Sequence, residues 1–278
     1  MDPSARTPSD SEYVLGHAER ELERLVSQGR FYGELTDHYL RLAGLKGGMH
    51  VLDAGCGAGD VSLIAARIVG PSGTVTGVDR AAEALALAGR RCSAENLAHV
   101  RFCTGALETF EPDAPVDAVI GRLVLLYVPD PPSLLRRLAG FVRPGGIVTF
   151  QEFDMSRAES VPPCPLVERA IGWIREAFTR VGLDIRLGLR LGAHFESAGL
   201  RDPKTILATR VERGRDSPGY DQIAQVVETL LPVIEKTGVA TAQEIDLPTL
   251  AARLREETVR LGGSIVFPGL VSTWARVS

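Results

Sequence analysis

The stretch Val51-Leu52-Asp53-Ala54-Gly55-Cys56-Gly57-Ala58-Gly59-Asp60 constrains this chain more than any other. An apolar run that breaks into three alternating glycines reads as a buried strand entering a tight turn, and Val61 to Val69 continues it as a helix. Thr74-Val75-Thr76-Gly77-Val78-Asp79 follows as a second apolar strand, after the turn residues Pro71-Ser72-Gly73. Strand, turn, helix and strand make a βαβ unit with parallel strands. The glycines reach dihedrals closed to residues with a Cβ and let a ligand lie against bare backbone. The helix after Gly59 turns its free N–H groups toward that ligand, and Asp79 offers a carboxylate to two ribose hydroxyls from the tip of the next strand. A nucleoside-bearing small molecule is therefore expected at this edge.

The spacing narrows the choice of nucleoside. A dinucleotide-binding turn places a third glycine where helix and strand pack closely beside a pyrophosphate; here that position is Asp60. An acidic side chain there repels a pyrophosphate but suits a cationic ligand without phosphate. Asp53-Ala-Gly-Cys-Gly-Ala-Gly59, Val78-Asp79, Gly121-Arg122 and Arg143-Pro144-Gly145-Gly146 together resemble the motifs of class I S-adenosylmethionine-dependent methyltransferases, over roughly residues 45 to 155. The resemblance implies an α/β fold: a doubly wound, Rossmann-like, seven-stranded and mostly parallel sheet, with an N-terminal helical cap and a helical lid inserted before the last strand. It also implies S-adenosylmethionine as cofactor, held by Asp53, Gly55, Cys56, Gly57, Gly59, Asp79, Arg80, Ala106, Leu107, Gly121 and Arg122. Relatives often carry Gly-Asp-Ala where this chain has Gly105-Ala106-Leu107, so the aspartate that takes the adenine amino group is replaced by Ala106. Backbone groups of Ala106 and Leu107 remain to address the base, with Glu108 as a substitute acceptor. Arg122 either salt-bridges the cofactor carboxylate or pairs with a neighbouring acid. Cap helices in relatives lie over cofactor and acceptor, which implies Tyr13, His17, Gln28, Tyr32, His38 or Tyr39 along the pocket.

Composition excludes several classes. With 31 Lys and Arg against 35 Asp and Glu the formal charge is −4, and no basic run suggests a nucleic-acid groove. The four cysteines, Cys56, Cys92, Cys103 and Cys164, show no Cys-x-x-Cys spacing and follow no secretory signal, so a reduced, cytoplasmic protein is expected. Cys56, inside the glycine turn, reads as a small buried filler and not a nucleophile. No apolar run approaches the roughly 18 residues that span a bilayer. The expected partner is a small-molecule acceptor, with no nucleic acid and no membrane; a homodimer is compatible with this chain.

The organisation along the chain divides into a disordered lead-in over residues 1–11, a helical cap over 12–47, a cofactor-binding core over 48–218 and 263–278, and a helical lid over 219–262. In the cap, apolar residues at helical spacing predict one helix from Ser11 to Gln28, with its weak point near Gly16, and a second from about Arg30 to Ala43. Ala81 to Ala94 is helical, Val100 to Cys103 a short strand, Pro115 to Gly121 the fourth strand and Gly145 to Phe150 the fifth. Leu166 to Val181 and Arg190 to Ala198 read as helices, and Lys204 to Glu212 and Val271 to Val277 as the last two strands. Tyr220 to Lys236 and Leu247 to Leu261 are amphipathic, and an insertion of that size exceeds what a sheet connection needs.

Methyl transfer from a sulfonium is an in-line displacement, so the protein mainly aligns the reacting atoms and excludes water. A neutral hydroxyl or amine must also lose a proton, for which His17, His38, Glu152 and Asp154 are the candidates. Glu152 leaves the fifth strand near the acceptor space, with a role either as base or in orienting Arg122 or a cap residue. Tyr13, Tyr39 and Asp154 are expected in the substrate pocket. No Asp, Asp-Asn pattern of the magnesium-dependent relatives occurs, so no metal is expected. The leading expectation is methylation of a small, largely apolar metabolite at O, N or C. The alternatives are a cofactor-retaining protein with non-methylating, for example pericyclic, activity, a binding module, and a nicotinamide-dependent reductase, which Asp60 disfavours.

Overall fold

The computed structural model describes residues 19–278. Helix α1 (Glu19–Ala43) leads into alternating strands and helices: β1 (His50–Ala54), α2 (Asp60–Val69), β2 (Thr74–Asp79), α3 (Ala82–Ala94), β3 (Val100–Thr104), β4 (Val116–Arg122), α4 (Pro131–Ala139) and β5 (Val142–Asp154). The chain continues through β6 (Glu159–Val161), α5 (Pro165–Arg180), α6 (Leu187–Ser197), β7 (Lys204–Ala208), β8 (Val211–Arg213), α7 (Gly219–Lys236), α8 (Ala242–Ile245), α9 (Leu247–Arg260), β9 (Ser264–Val266) and β10 (Gly269–Arg276). Seven strands form one sheet in the order β3-β2-β1-β4-β5-β10-β7, parallel except for β10, which runs antiparallel to both neighbours. The order reverses beside β1, where open α/β sheets bind ligands. This is the doubly wound, mostly parallel sheet expected from the sequence.

Strand parity distributes the core. Val51, Val75, Ala118, Ile120 and Ile147 pack under α1 and α2, whereas Leu52, Val119, Val148, Phe150 and Val271 pack against α4 and α6. Both faces are covered, which is why these strands are nearly continuous apolar runs. A third core lies beyond the carboxyl edge of the sheet, where Val167, Ile171 and Phe178 of α5 meet Ile223, Val227 and Leu230 of α7, Leu250 and Leu254 of α9, and Phe31 and Tyr32 of α1. A separate antiparallel sheet, β6-β9-β8, ties this roof together.

Three expectations change. The cap is one uninterrupted helix over its described length, not two helices meeting near residue 29. Helix α5, expected in the core unit, belongs to the roof with α7 and α9, so residues 219–262 share one apolar core with residues 165–180 and are not a separate lid. The strand expected over 204–212 is two strands in different sheets, β7 and β8, separated by Thr209 and Arg210, whose groups bond to Phe267 and Phe31 instead. The expected lead-in, residues 1–11, lies outside the described residues.

Gly29 explains the continuous helix. It is buried in α1, and a Cβ there would come 2.1 Å from the Cγ of Asp60, at the start of α2. Its missing side chain is thus a packing requirement that lets α1 lie on α2. Gly29→Ala gains about 1 kcal/mol of helix propensity but overpacks this contact, and should lower stability by a net of about 1 to 2 kcal/mol. Thermal unfolding checks this: Gly29→Ala should melt below wild type, and Gly29→Ala with Asp60→Ala should recover part of the loss relative to Asp60→Ala alone.

Candidate functional site

The site grows from the turn between β1 and α2. The N–H groups of Gly55 and Cys56 donate to the carbonyl of Val78 on β2 at 2.8 and 3.1 Å, which fixes the turn on the neighbouring strand. Gly59 begins α2 in the left-handed region at φ 82°, and a Cβ there would lie 2.8 Å from that of Ala88 on α3. Gly57 is different, because it is also left-handed but faces open space, with Leu25 of α1 as its nearest side chain. Its N–H donates to Asp79 Oδ2 at 2.9 Å, and the N–H of Ala81 donates to Oδ1 at 2.9 Å. A carboxylate oxygen has more than one lone pair, so Asp79 is held in place and can still accept from a ligand.

Two adjoining cavities meet at Gly55, Gly57, Asp79, Leu123 and Tyr127. The smaller, about 940 Å³, runs past Arg80, Ala84, Gly105, Leu107, Glu108 and Val128. The larger, about 1340 Å³ including its open mouth, passes Cys56, Asp60 and Arg122 and continues under the roof. There its walls are Tyr32 of α1, Phe153 and Met155, Ile171, Ile174, Arg175 and Phe178 of α5, Gln222, Ile223 and Val226 of α7, and Ile265 and Phe267.

Charges near the turn are arranged in pairs and chains. Asp60 accepts from Arg91 at 2.7 Å, and Arg91 also reaches the carbonyl of Ala58 at 2.6 Å, so the acidic helix start is balanced. Arg122 donates to Thr36 Oγ1 at 2.9 Å, and that hydroxyl donates to Gln151 Oε1 at 3.0 Å. Burial draws the Arg122 guanidinium below its ordinary pKa, against the opposing pull of Asp60 and Asp53. It forms no ion pair with any acid among the described residues. Asp53 is buried under the turn, accepts from Ser62 at 2.6 Å, and leaves Oδ1 without a partner. Burial raises its pKa to about 7, partly offset by Ser62. The buried Cys56 thiol is likewise pushed well up.

The structure thus brings Gly55, Cys56, Gly57, Asp79 and Arg122 to the cavities, with Arg80 and Leu107 along the smaller one. Gly59 and Gly121 serve packing: a Cβ on Gly121 would strike the Phe150 ring at 2.4 Å. The Ala106 carbonyl is taken by the N–H groups of Thr109 and Phe110. Gln28 and Tyr32, one helical turn apart on α1, both line the larger cavity.

Other expected residues lie elsewhere. His38 is on the exposed side of α1, and Tyr39 is fully buried against the sheet with its hydroxyl on the carbonyl of Leu270 at 2.9 Å. Asp154 closes a turn by accepting from the N–H and hydroxyl of Ser156. Tyr13 and His17 are outside the described residues. The Glu152 carboxylate accepts from the N–H groups of Val124 and Leu125 at 2.8 and 2.7 Å, behind the short 3-10 turn Leu125–Tyr127, and lines neither cavity. The reason is parity. Arg122 on β4 is in register with Gln151 on β5, so Gln151 and Phe153 share the cavity side while Glu152 and Asp154 face the other way. Phe153 was therefore readable from the register, whereas Arg175 and Gln222 carry a fainter signal, as polar residues within the apolar stripes of α5 and α7.

The comparisons with known proteins agree with this geometry. A family model described as a methyltransferase domain matches residues 45–177. The 2-phytyl-1,4-naphtoquinone methyltransferase of Synechococcus elongatus is 32% identical over 182 residues, covering 56% of this chain and 77% of that protein. The nocamycin O-methyltransferase of Saccharothrix syringae is 32% identical over 147 residues, 52% of this chain and 50% of its own length. Among solved structures, the YcgJ protein of Bacillus subtilis superposes with a TM-score of 0.55 over 88% of this chain and 100% of that one, at 16% identity, a likeness of fold alone. With its glycine turn, its Asp79 and its sheet order, the chain belongs to the class I S-adenosylmethionine-dependent methyltransferases, enzymes that transfer a methyl group from this cofactor.

Proposed function

We propose that the cofactor lies across the glycine turn and that the acceptor occupies the apolar chamber under the roof, so that the protein methylates a small, largely apolar metabolite at O, N or C. The observation that carries this reading is the continuity of the two cavities through Gly55, Gly57 and Asp79, with charged Asp79, Arg80 and Glu108 along the smaller one and a largely apolar wall under the roof. The smaller cavity takes the nucleoside, with Asp79 on the ribose, and Leu107 and Glu108 beside the base. Arg122 takes the cofactor's carboxylate, being a buried cation steered by Thr36 and without an acid of its own among the described residues. The bound cofactor supplies an electrophilic methyl on a sulfonium. The chain's own contribution is alignment and exclusion of water by Tyr32, Phe153, Ile174 and Phe267. The relative named for a phytylated naphthoquinone fits an apolar acceptor of this kind.

Glu152 supports this site and does no proton chemistry in it. Leu123, which lines both cavities, is held in the left-handed region at φ 58°, a costly conformation for a residue with a branched side chain. Its N–H donates to Gln151 O at 2.8 Å, and Glu152 grips the next two N–H groups. Burial raises the Glu152 pKa from 4.5 to about 8, partly offset by these backbone bonds, so at neutral pH the group is mostly a neutral acid. Tyr32, also pushed up by burial, keeps its proton too. The chamber therefore suits an acceptor whose nucleophile ionises readily by itself.

Asp79→Ala should weaken S-adenosylhomocysteine by about 1.5 to 3 kcal/mol, roughly ten- to a hundredfold, through lost charge-assisted bonds. Calorimetry measures this, and unchanged affinity would remove Asp79 from the ribose. Glu152→Gln mimics the neutral acid and keeps an oxygen for both N–H groups, so cofactor affinity should stay within a few fold, whereas Glu152→Leu should weaken it by about tenfold or more by leaving two donors unmet. A group whose folded pKa is raised contributes stability that is full below its unfolded pKa and is lost as pH rises through the folded value. Melting temperature should therefore decline from about pH 5 to pH 8 on account of Glu152, and the Glu152→Gln curve should be flatter over that window. A mutant curve parallel to wild type would contradict the buried neutral acid.

A further inference from the structure

Helix α5 carries a charge inside its apolar stripe. Arg175 lies on the same face as Ile171, Ile174 and Phe178, and all of them line the chamber. Its Nε donates to the carbonyl of Met155 at 2.6 Å, and its Nη2 donates to that of Ala158. A guanidinium holds five N–H donors in a planar fork, so these bonds occupy one edge and leave the donors of the Nη1–Nη2 edge. No acid among the described residues forms an ion pair with it. Its chamber neighbours Phe178, Ile223, Val226 and Ile265 are apolar, and Gln222 is neutral, 4% exposed and has an Oε1 without a partner. Arg175 is half-buried, so a counter-charge that reaches it inside the chamber pairs with it where water is partly excluded. The two backbone carbonyls fix its plane in advance, so little ordering remains when a ligand binds.

We infer that Arg175 is a specificity-determining residue that binds a carboxylate on the acceptor, the rest of which is apolar. The inference rests on the reading of this cavity as the acceptor chamber. A single guanidinium matches a monoanion in a bidentate pair. Arg122 stands beside the glycine turn, and Arg24 of α1 also lines the cavity. The neutral amide of Gln222 offers a second, uncharged polar contact. Acceptors are therefore sorted by charge: apolar acids enter, and apolar amines, which carry a positive charge, are rejected.

The test uses the intact protein saturated with S-adenosylhomocysteine and two matched pairs of probes, 2-naphthoate with 2-naphthol and decanoate with 1-decanol. Calorimetry should show at least one acid binding about tenfold or more tightly than its alcohol, the size expected of a desolvated bidentate pair. Arg175→Met should bring that ratio to about one with alcohol binding unchanged, and Arg175→Lys should keep part of the preference. If Arg175→Met does not fold, Arg175→Gln takes its place, and the wild-type ratios stand by themselves. Acids no better than alcohols in both pairs, including no binding by either, would overturn the inference, as would a preference that survives loss of the guanidinium. Thermal stabilisation by S-adenosylhomocysteine, measured alongside, reports on the cofactor site separately.

Discussion

The contact between α1 and the start of α2 turns an open sheet edge into an enclosed site. A parallel sheet presents its carboxyl edge to solvent, and a ligand there would be half exposed. Because Gly29 has no side chain, α1 lies directly on Asp60, and the same helix then passes Gln28 and Tyr32 along the larger cavity. Asp60 is held from its other side by Arg91 of α3, so three helices converge on one carboxylate. Phe31 carries this packing into the roof: its ring lies 4.8 Å from that of Phe267, and the guanidinium of Arg210 sits 4.4 Å above it. Cofactor turn, cap and roof are thereby one mechanical unit.

The two halves of the cavity are built on different principles. The side proposed for the nucleoside depends on backbone N–H groups and one carboxylate held by Gly57 and Ala81, so it is nearly independent of side-chain choice elsewhere. The side proposed for the acceptor depends on packed side chains from three helices and two strands distant in sequence, α1, α5, α7, β5 and β9. Gln222 and Arg175 are polar members of this wall, and both lie on roof helices, α7 and α5.

What the sequence made legible follows the same division. The glycine turn, Asp79 and the strand at Gly121-Arg122 are local patterns with local physical reasons, and the structure places them together. Gly29 reads locally as a helix breaker because propensity is a local quantity; its role is set by Asp60, a residue far along the chain. Glu152 was drawn toward the chamber by its position at a strand end, although the period of two along β5 assigns it to the face of Val148 and Phe150. Helix α5 has an amphipathic pattern that suits either the sheet or another helix, and only the partner decides. Short strands β6, β8 and β9, of three residues each, have too little pattern to read.

The position of β10 has a consequence for how the molecule assembles. This strand pairs with β5 on one side and β7 on the other, so the sheet is split until residues 269–276 arrive. Most of the contacts that close the roof also join segments far apart in the chain, a topology of high contact order in which loop closure comes before its reward. The roof helices and the sheet β6-β9-β8 are all present by residue 266, so what waits for β10 is the main sheet, in which β7 has no other strand partner. A chain interrupted before β10 would therefore present two unpaired strand edges, those of β5 and β7, which makes this segment a natural place for aggregation when folding fails.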